Sequence, residues 1–508
     1  MATSYFMGVD TGTHETKGVI IDIEGTVVAQ SSTSHKMLNP QPGFYEHDAE
    51  QDWWGDFCTV SRELISKSGI DPSDIKAVAT DGIGLCCLPV DEQCRPLRNA
   101  ILYGIDSRAT SQMAELTQQW GQDFIDEVFG RPLCSSDVPP KILWIKENEP
   151  EVYSRTAKFL NSSSYISAKL TGEYYIDRFL GMAGGFAPLY GKDGIPTPES
   201  CMGLCTPDQL AKIAETTDII GYVTEQAAAE TGLAVGTPVT PGGDDSACEA
   251  ISCGIGKLGD LMLQFGSTIY MFLLTDRLVI DDRVWHEEFI IPGVCDVSGA
   301  TNTAGTMTAW LRDTLFHDFK EKEEAGGENA YAAMMEAAKD VPVGSNGVLC
   351  LPYFAGERTP IDDPDARGIF MGIKTSTTRE DLYRAGLEGV AYSINQHLRI
   401  FEEDEAPVHR ILAAGGGTKN PMWMQIVADV CGISITVPKV TVGACYGDAM
   451  MAAIACGAWK DFDELASKVQ PDVIYEPDMA NHETYKRYQS IFDDLYPTTK
   501  DLVHRLEA

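Results

Sequence analysis

The sequence lacks any apolar run of about eighteen residues, the length that would cross a bilayer. It also lacks a charged-then-apolar leader, because "YFMGVDTG" already opens a strand pattern at residue 5. Neither a membrane span nor a secretory signal is expected. Basic residues are scarce: 39 Lys and Arg stand against 75 Asp and Glu, a formal charge of −36. A field of that sign repels DNA and RNA, and no local basic patch offsets it, so nucleic acid is excluded as a partner. The acidity itself reads as solubility or as adaptation to a salt-rich or acid-tolerant host. Metal-site spacings of the CxxC…CxxC or HExxH kind are absent, and the CxxxC of Cys201 and Cys205 has no second pair. The 14 cysteines, adjacent Cys86 and Cys87 among them, are irregularly spaced and form no disulfide framework, so a reducing cytoplasm is expected. No GxxxxGK[ST] loop is present: Lys192 and Lys257 each follow a glycine but precede Asp193 and Leu258, which excludes a P-loop ATPase.

What is present is a globular composition, 44% apolar and 22% charged, over 508 residues, enough for two or three domains. "YFMGVDTG" and "ETKGVIIDIEGTVVAQ" read as two strands around the polar turn Asp10-Thr11-Gly12-Thr13. "DLMLQFGSTIYMFLL" repeats the plan with the turn Gly266-Ser267-Thr268, 266 − 10 = 256 residues from Asp10, about half the chain. An internal duplication would place two such hairpins at one cleft. "DIKAVATDGIG" and "VHRILAAGGG" are apolar strands running into glycine, whereas "TREDLYRAGLEGVAYSINQHLRIFEE" has helical periodicity from a start at Thr377 or Thr378. Strands alternating with helices predict α/β layers. The glycine-rich stretch at 240–260 marks the expected domain boundary.

Turns with successive N–H groups hold anions. Asp-Thr-Gly-Thr and Gly-Ser-Thr fit phosphate, with Asp10 able to hold magnesium through oxygen or water. They equally fit two ordinary hairpins. In "TPGGDDSACEA" two adjacent carboxylates, Asp244 and Asp245, follow a glycine hinge, and Asp244 also suits a helix N-cap.

Six segments, in order, carry a resemblance to the FGGY family of carbohydrate kinases over nearly the whole length. They are "GVDTGTHETKGVIID", "PGFYEHDAEQDWW", "PPKILWIKEN", "LPYFAGERTP", "GIFMGIKTSTTREDLYRAGLE" and "AAGGGTKNPMWMQIVADV". Val138 and Gly386 depart from the two family signatures. The resemblance implies an α/β fold of two actin-like (ribonuclease H-like) domains around a central nucleotide and sugar cleft. Residues 1–250 would carry the sugar site and catalytic base, and residues 251–508 the nucleotide. It implies ATP and Mg2+, with Asp244 as base on the sugar hydroxyl and Asp245 contacting sugar or metal. Asp10 would position magnesium. Thr11, Gly12 and Thr13 would line one phosphate turn, and Gly266, Ser267 and Thr268 the other. Gly305 and Thr308 are further nucleotide candidates, while Gly415, Gly416, Gly417 and Asn420 would bracket adenosine. In "VGACYGDAMMAAIACG" Gly443 replaces a common glutamate and Asp448 a small residue, and no role is assigned there.

The family phosphorylates polyols, ketoses and gluconate. Ile83-Gly84-Leu85 stands where xylulokinase-like members carry Gln-Met-His, and "AILYGIDSRA" resembles their Trp-Asn-Asp-x-Arg segment. Tyr103, Asp106, Arg108 and Gly84 are therefore the sugar-side candidates, although Asp106 and Arg108 equally fit a simple surface ion pair. The expectation is an ATP-dependent kinase for a small sugar or polyol, a pentulose such as xylulose first, with ribulose, erythritol and gluconate as alternatives. The resemblance also implies a homodimer. An actin-like ATPase would need no polar sugar pocket, and a degenerate member should have lost Asp10 or Asp244.

Overall fold

The computed structural model describes residues 4–507 except 130 and 184. The chain forms two compact units. Unit 1 is built on a sheet of β1 (Tyr5–Thr11), β2 (Glu15–Asp22), β3 (Val27–Ser34), β4 (Ile75–Gly82), β5 (Gly221–Tyr222), β6 (Pro238–Val239) and β7 (Gly243–Asp244). Its order is β5-β6-β4-β1-β2-β3, with β7 also paired to β4. β1 and β4 are parallel and almost continuously buried, the pattern of strands covered on both faces. Helix α1 (Asp56–Ser68) ends at left-handed Gly69 and lies over Gly18, whose missing side chain admits Val60 and Leu64.

Unit 2 has β8 (Asp260–Phe265), β9 (Ile269–Thr275), β10 (Cys295–Thr301), β11 (Arg410–Ala414), β12 (Ile435–Pro438) and β13 (Pro471–Tyr475), in the order β10-β9-β8-β11-β12-β13. In each unit the first two strands form an antiparallel hairpin, the third pairs antiparallel with the second, and the first pairs parallel with a later strand. The edge strand beyond is antiparallel in both. The duplication read from two glycine turns is thus repeated in strand order and direction. The helix Arg379–Glu403 starts after Thr378, which forms a capping box with Asp381.

The units are interleaved in sequence. Unit 1 runs to Gly256 and also includes Glu287–Val294 and Val442–Val469, so a single cut at 250 does not divide them. The physical reason is packing by two helices, α2 (Asp245–Ser252) and α3 (Ala444–Ala455). A Cβ on Gly447 of α3 would lie 2.2 Å from the Cys248 carbonyl of α2, and one on Gly8 of β1 would lie 2.0 Å from the Cys445 carbonyl. Glycine at both positions lets α3 sit directly on β1 and α2.

Candidate functional site

Three strand ends meet in unit 1. Asp10 pairs with Asp81 and Thr11 with Gly82, while Gly243 and Asp244 pair with Asp81 and Gly82 from the other side. Carboxyl ends of parallel strands are where α/β sheets bind ligands, since the chain turns away there and leaves backbone groups exposed. The "DTG", "TDG" and "GGDD" segments are brought together in this way.

Asp244 caps α2. Its Oδ1 accepts hydrogen bonds from the backbone N–H of Ser246 at 3.0 Å and Ala247 at 3.3 Å, and from the Ser246 hydroxyl. Its Oδ2 has no hydrogen-bond partner among the described residues and faces Gly84, where an added Cβ would lie 2.0 Å away. One oxygen is thereby tied to a helix N-terminus, which orients the carboxylate, and the other is left available. Burial raises the Asp244 pKa and the Ser246 and Ala247 donors oppose it. The Gly84 backbone is itself braced. The Ser162 hydroxyl donates to the Ile83 carbonyl at 2.8 Å, and the buried Lys141 ammonium donates to the Leu85 carbonyl at 3.1 Å. Leu85 is held at φ 64°, a conformation a branched side chain rarely adopts without such support.

Asp10 Oδ1 is buried without a hydrogen-bond partner among the described residues, and desolvation raises the Asp10 pKa against the pull of Asp81 and Lys17. Asp245 is raised well above the usual range by desolvation, with Asp244 and Asp10 adding repulsion. The Gly12 N–H donates to the Glu15 carbonyl at 3.0 Å, and His35 holds the Gly12 carbonyl at 3.0 Å. Thr11 Oγ1 is buried and unpartnered. Thr13 Oγ1 lies 3.2 Å from the Tyr103 hydroxyl, so a phosphate candidate and a sugar candidate are neighbours.

Asp106 and Arg108 are brought together as well, but not as a surface pair, since both side chains are 0% exposed. Asp106 Oδ1 accepts from Arg108 Nε at 2.9 Å, and Oδ2 accepts from Arg108 Nη2 and the Tyr45 N–H, each at 2.7 Å. Arg108 Nη1 donates to Glu46 at 2.8 Å, and the guanidinium stacks over Phe44 at 4.3 Å. Asp106 is therefore oriented by bonds inside the unit, those from Arg108 among them. The pair and Glu46 brace the segment that presents Tyr103.

In unit 2 the Gly266-Ser267-Thr268 turn is seated on the helix Gly305–Thr314. The Gly305 N–H donates to the Gly266 carbonyl at 3.1 Å, and the Ala304 and Thr306 N–H groups donate to the Ser267 carbonyl. A Cβ on Gly305 would lie 2.4 Å from the Gly266 oxygen, and the Thr308 hydroxyl donates to the Gly305 carbonyl at 2.8 Å. Gly305 and Thr308 thus support the turn. Gly415, at φ 89°, and Gly417 pack against Phe265, whereas space beside Gly416 is open. Asn420 caps the helix Pro421–Cys431 and donates to the Tyr383 hydroxyl at 2.8 Å.

Sequence reasoning missed three carboxylates near Asp244 and Asp10. Asp81 ends β4 beside Asp10. Asp177 is fully buried; desolvation pushes it up to about 7, and Asp244 adds repulsion. Glu287 is pushed up to about 8 by desolvation, again with repulsion from Asp244. Only the "TDG" segment at the end of an apolar strand could have pointed to the first. The other two arrive from segments without a motif.

Like sheets with glycine hairpin turns, and a capping carboxylate at the carboxyl ends of parallel strands, define a two-unit α/β fold, and the family match makes it that of a sugar kinase. The chain belongs to the FGGY family of carbohydrate kinases, residues 5–252 matching the N-terminal domain of that family and residues 261–456 its C-terminal domain. It is similar to the xylulose kinase of Bacillus subtilis, 30% identical over 99% of this chain and 99% of the relative. It is similar also to the gluconokinase of the same organism, 27% identical over 97% of this chain and 96% of the relative. The crystal structure of xylulose kinase from Rhodospirillum rubrum superposes with a TM-score of 0.87 at 30% identity, covering 98% of this chain and 100% of that one. The activity is phosphoryl transfer to a carbohydrate, and ATP is the phosphate donor in this family. Among the described residues no helix is long and apolar enough to cross a membrane.

Proposed function

We propose that this kinase phosphorylates a hydroxyl of a small ketose, a pentulose such as xylulose first, and that Asp244 Oδ2 is the general base. The observation that carries the reading is the division of labour in one carboxylate: Oδ1 is held by the start of α2 while Oδ2 has no hydrogen-bond partner among the described residues and lies beside Gly84. The acceptor oxygen attacks the γ-phosphorus, the bond to the β–γ bridging oxygen breaks, ADP leaves, and the hydroxyl proton passes to Asp244. Such transfers are catalysed mainly by positioning and charge stabilisation, with the base acting late.

Unit 1 supplies the acceptor side, with Tyr103 and Asp245 near the sugar, Gly84 leaving room for it and the Asp106–Arg108 pair as a brace. Thr11, Gly12 and Thr13 form one phosphate turn, and Gly266, Ser267 and Thr268 the other. Gly305 and Thr308 support the second turn, and Gly415, Gly416, Gly417 and Asn420 line the adenosine side. The buried, unpartnered oxygen of Asp10 fits a magnesium ligand, and the ion when bound neutralises phosphate charge. The free thiols of all 14 cysteines support a cytoplasmic setting.

Xylulose is favoured by the relatives bearing that name. Gluconate is the second reading, favoured by the gluconokinase relative, with ribulose and erythritol as further acceptors. A coupled ADP-release screen across ketoses, polyols and aldonates separates them. Asp244→Asn is expected to lower turnover by about 10²–10⁴-fold, the span typical of a lost general base, with ATP binding retained. Wild-type turnover in that variant removes the assignment.

A further inference from the structure

Asp81, Cys248 and Asp448 come from three distant parts of unit 1 and converge in its interior. Their ligand atoms all lie within 4.8 Å of one another, and all three residues are at most 0% exposed. Glycines make the convergence possible. Gly8 and Gly447 let α3 approach β1 and α2, and a Cβ on Gly243 would lie 2.6 Å from Cys248 Sγ. Among the described residues none supplies a hydrogen bond of ordinary geometry to the four carboxylate oxygens of Asp81 and Asp448. Their near neighbours are each other, the Cys248 thiol and Asp10.

Two buried carboxylates without a cation are costly, because desolvation and repulsion act together. A positive ion removes both penalties at once. The donor set also selects among ions. Calcium and magnesium take oxygen ligands, whereas a thiolate beside two carboxylates suits a borderline first-row divalent metal. Three protein donors are the number zinc takes when one position is left to water.

We propose that Asp81, Cys248 and Asp448 form a buried site for a zinc-class divalent cation, which ties helix α3 to strand β4 and helix α2. Binding exchanges the thiol proton for the metal, so one proton leaves Cys248 as the metal–sulfur bond forms. The site needs no nucleotide, and it adjoins Asp10 at the start of the first phosphate turn. Asp448, the residue that departs from a small side chain in the family pattern, is what completes it.

The test uses the full chain, stripped with a chelator, then equilibrated with Co2+ in the absence of nucleotide and passed through a desalting column. About one Co2+ per chain should remain, with tetrahedral visible absorption and a thiolate-to-cobalt charge-transfer band, and Zn2+ should displace it. Cys248→Ser should abolish the charge-transfer band, and Asp448→Ala should abolish retention. A wild-type chain that retains no Co2+, or a band that persists in Cys248→Ser, overturns the proposal. Should Asp448→Ala fail to fold, Asp448→Asn and the wild-type measurement still decide it. Kinase activity with Mg2+ is scored separately, so failure of the metal site and failure of the xylulose reading are distinguishable.

Discussion

Gly84 and Asp244 occupy adjoining space: a Cβ on Gly84 would lie 2.0 Å from Asp244 Oδ2 and 3.2 Å from its carboxyl carbon. The glycine is required for room, and the atom it makes room for is the one carboxylate oxygen of Asp244 not already bonded to α2. Gly84→Ala should displace the carboxylate or the segment bearing residue 84. A misplacement of about 1 Å is enough to cost on the order of 10²-fold in rate. Steady-state kinetics should therefore report a large fall in kcat, while circular dichroism reports an intact fold. An alanine variant with full turnover would contradict the placement of the base.

The acid side of the rate profile tests the same carboxylate. A base must be ionised to accept a proton, and burial raises the Asp244 pKa from 3.8. Activity should accordingly fall as pH drops through a value above the ordinary aspartate range. The Ser246 hydroxyl stabilises the ionised form, so Ser246→Ala should move the acid limb of kcat/KM to still higher pH. A limb that stays in place on this substitution would separate it from Asp244.

Arg108 is bound to Asp106 and Glu46 and covered by Phe44 and Trp144. Arg108→Ala leaves Asp106 buried without its cationic partner while Glu46 keeps Arg98, a loss of about 3–5 kcal/mol in comparable cases. Lysine cannot reproduce the forked contact or the stacking, so Arg108→Lys should recover only part of it. Denaturant unfolding measures the effect. A change confined to the KM for sugar, with stability untouched, would instead make the pair a direct substrate contact.

Acid should also weaken the fold. His397 is fully buried, with Nδ1 donating to the Ser393 carbonyl at 2.9 Å and Nε2 within 2.9 Å of the Thr359 hydroxyl. Desolvation lowers its pKa from 6.5 to about 4. Between those values the unfolded chain binds the proton and the folded chain does not, so stability rises with pH across that window. The full contribution, about 3 kcal/mol, is present above pH 6.5 and lost as pH falls to about 4. Melting temperatures measured across this range should drop on acidification, and His397→Gln should flatten the slope. An unchanged slope would assign the acid sensitivity elsewhere.

Local pattern was enough for much of this protein. Hydrophobic runs ending in "DTG" and "GST" identify the paired hairpins, and Thr378 marks its helix start, because strand period, turn chemistry and capping act over a few residues. The Gly-Gly-Asp segment likewise marks Asp244 as an N-cap, since a glycine turn followed by a cap is a local arrangement. Tertiary structure alone decided that Asp106 and Arg108 are held among Glu46, Tyr45 and Phe44, contacts set by partners some sixty residues away. It alone decided that residues 442–469 return to the first unit and carry Asp448 to Asp81 and Cys248. The cause is close approach of backbones at Gly8 and Gly447, which depends on what packs opposite each glycine and leaves no trace in the neighbouring residues.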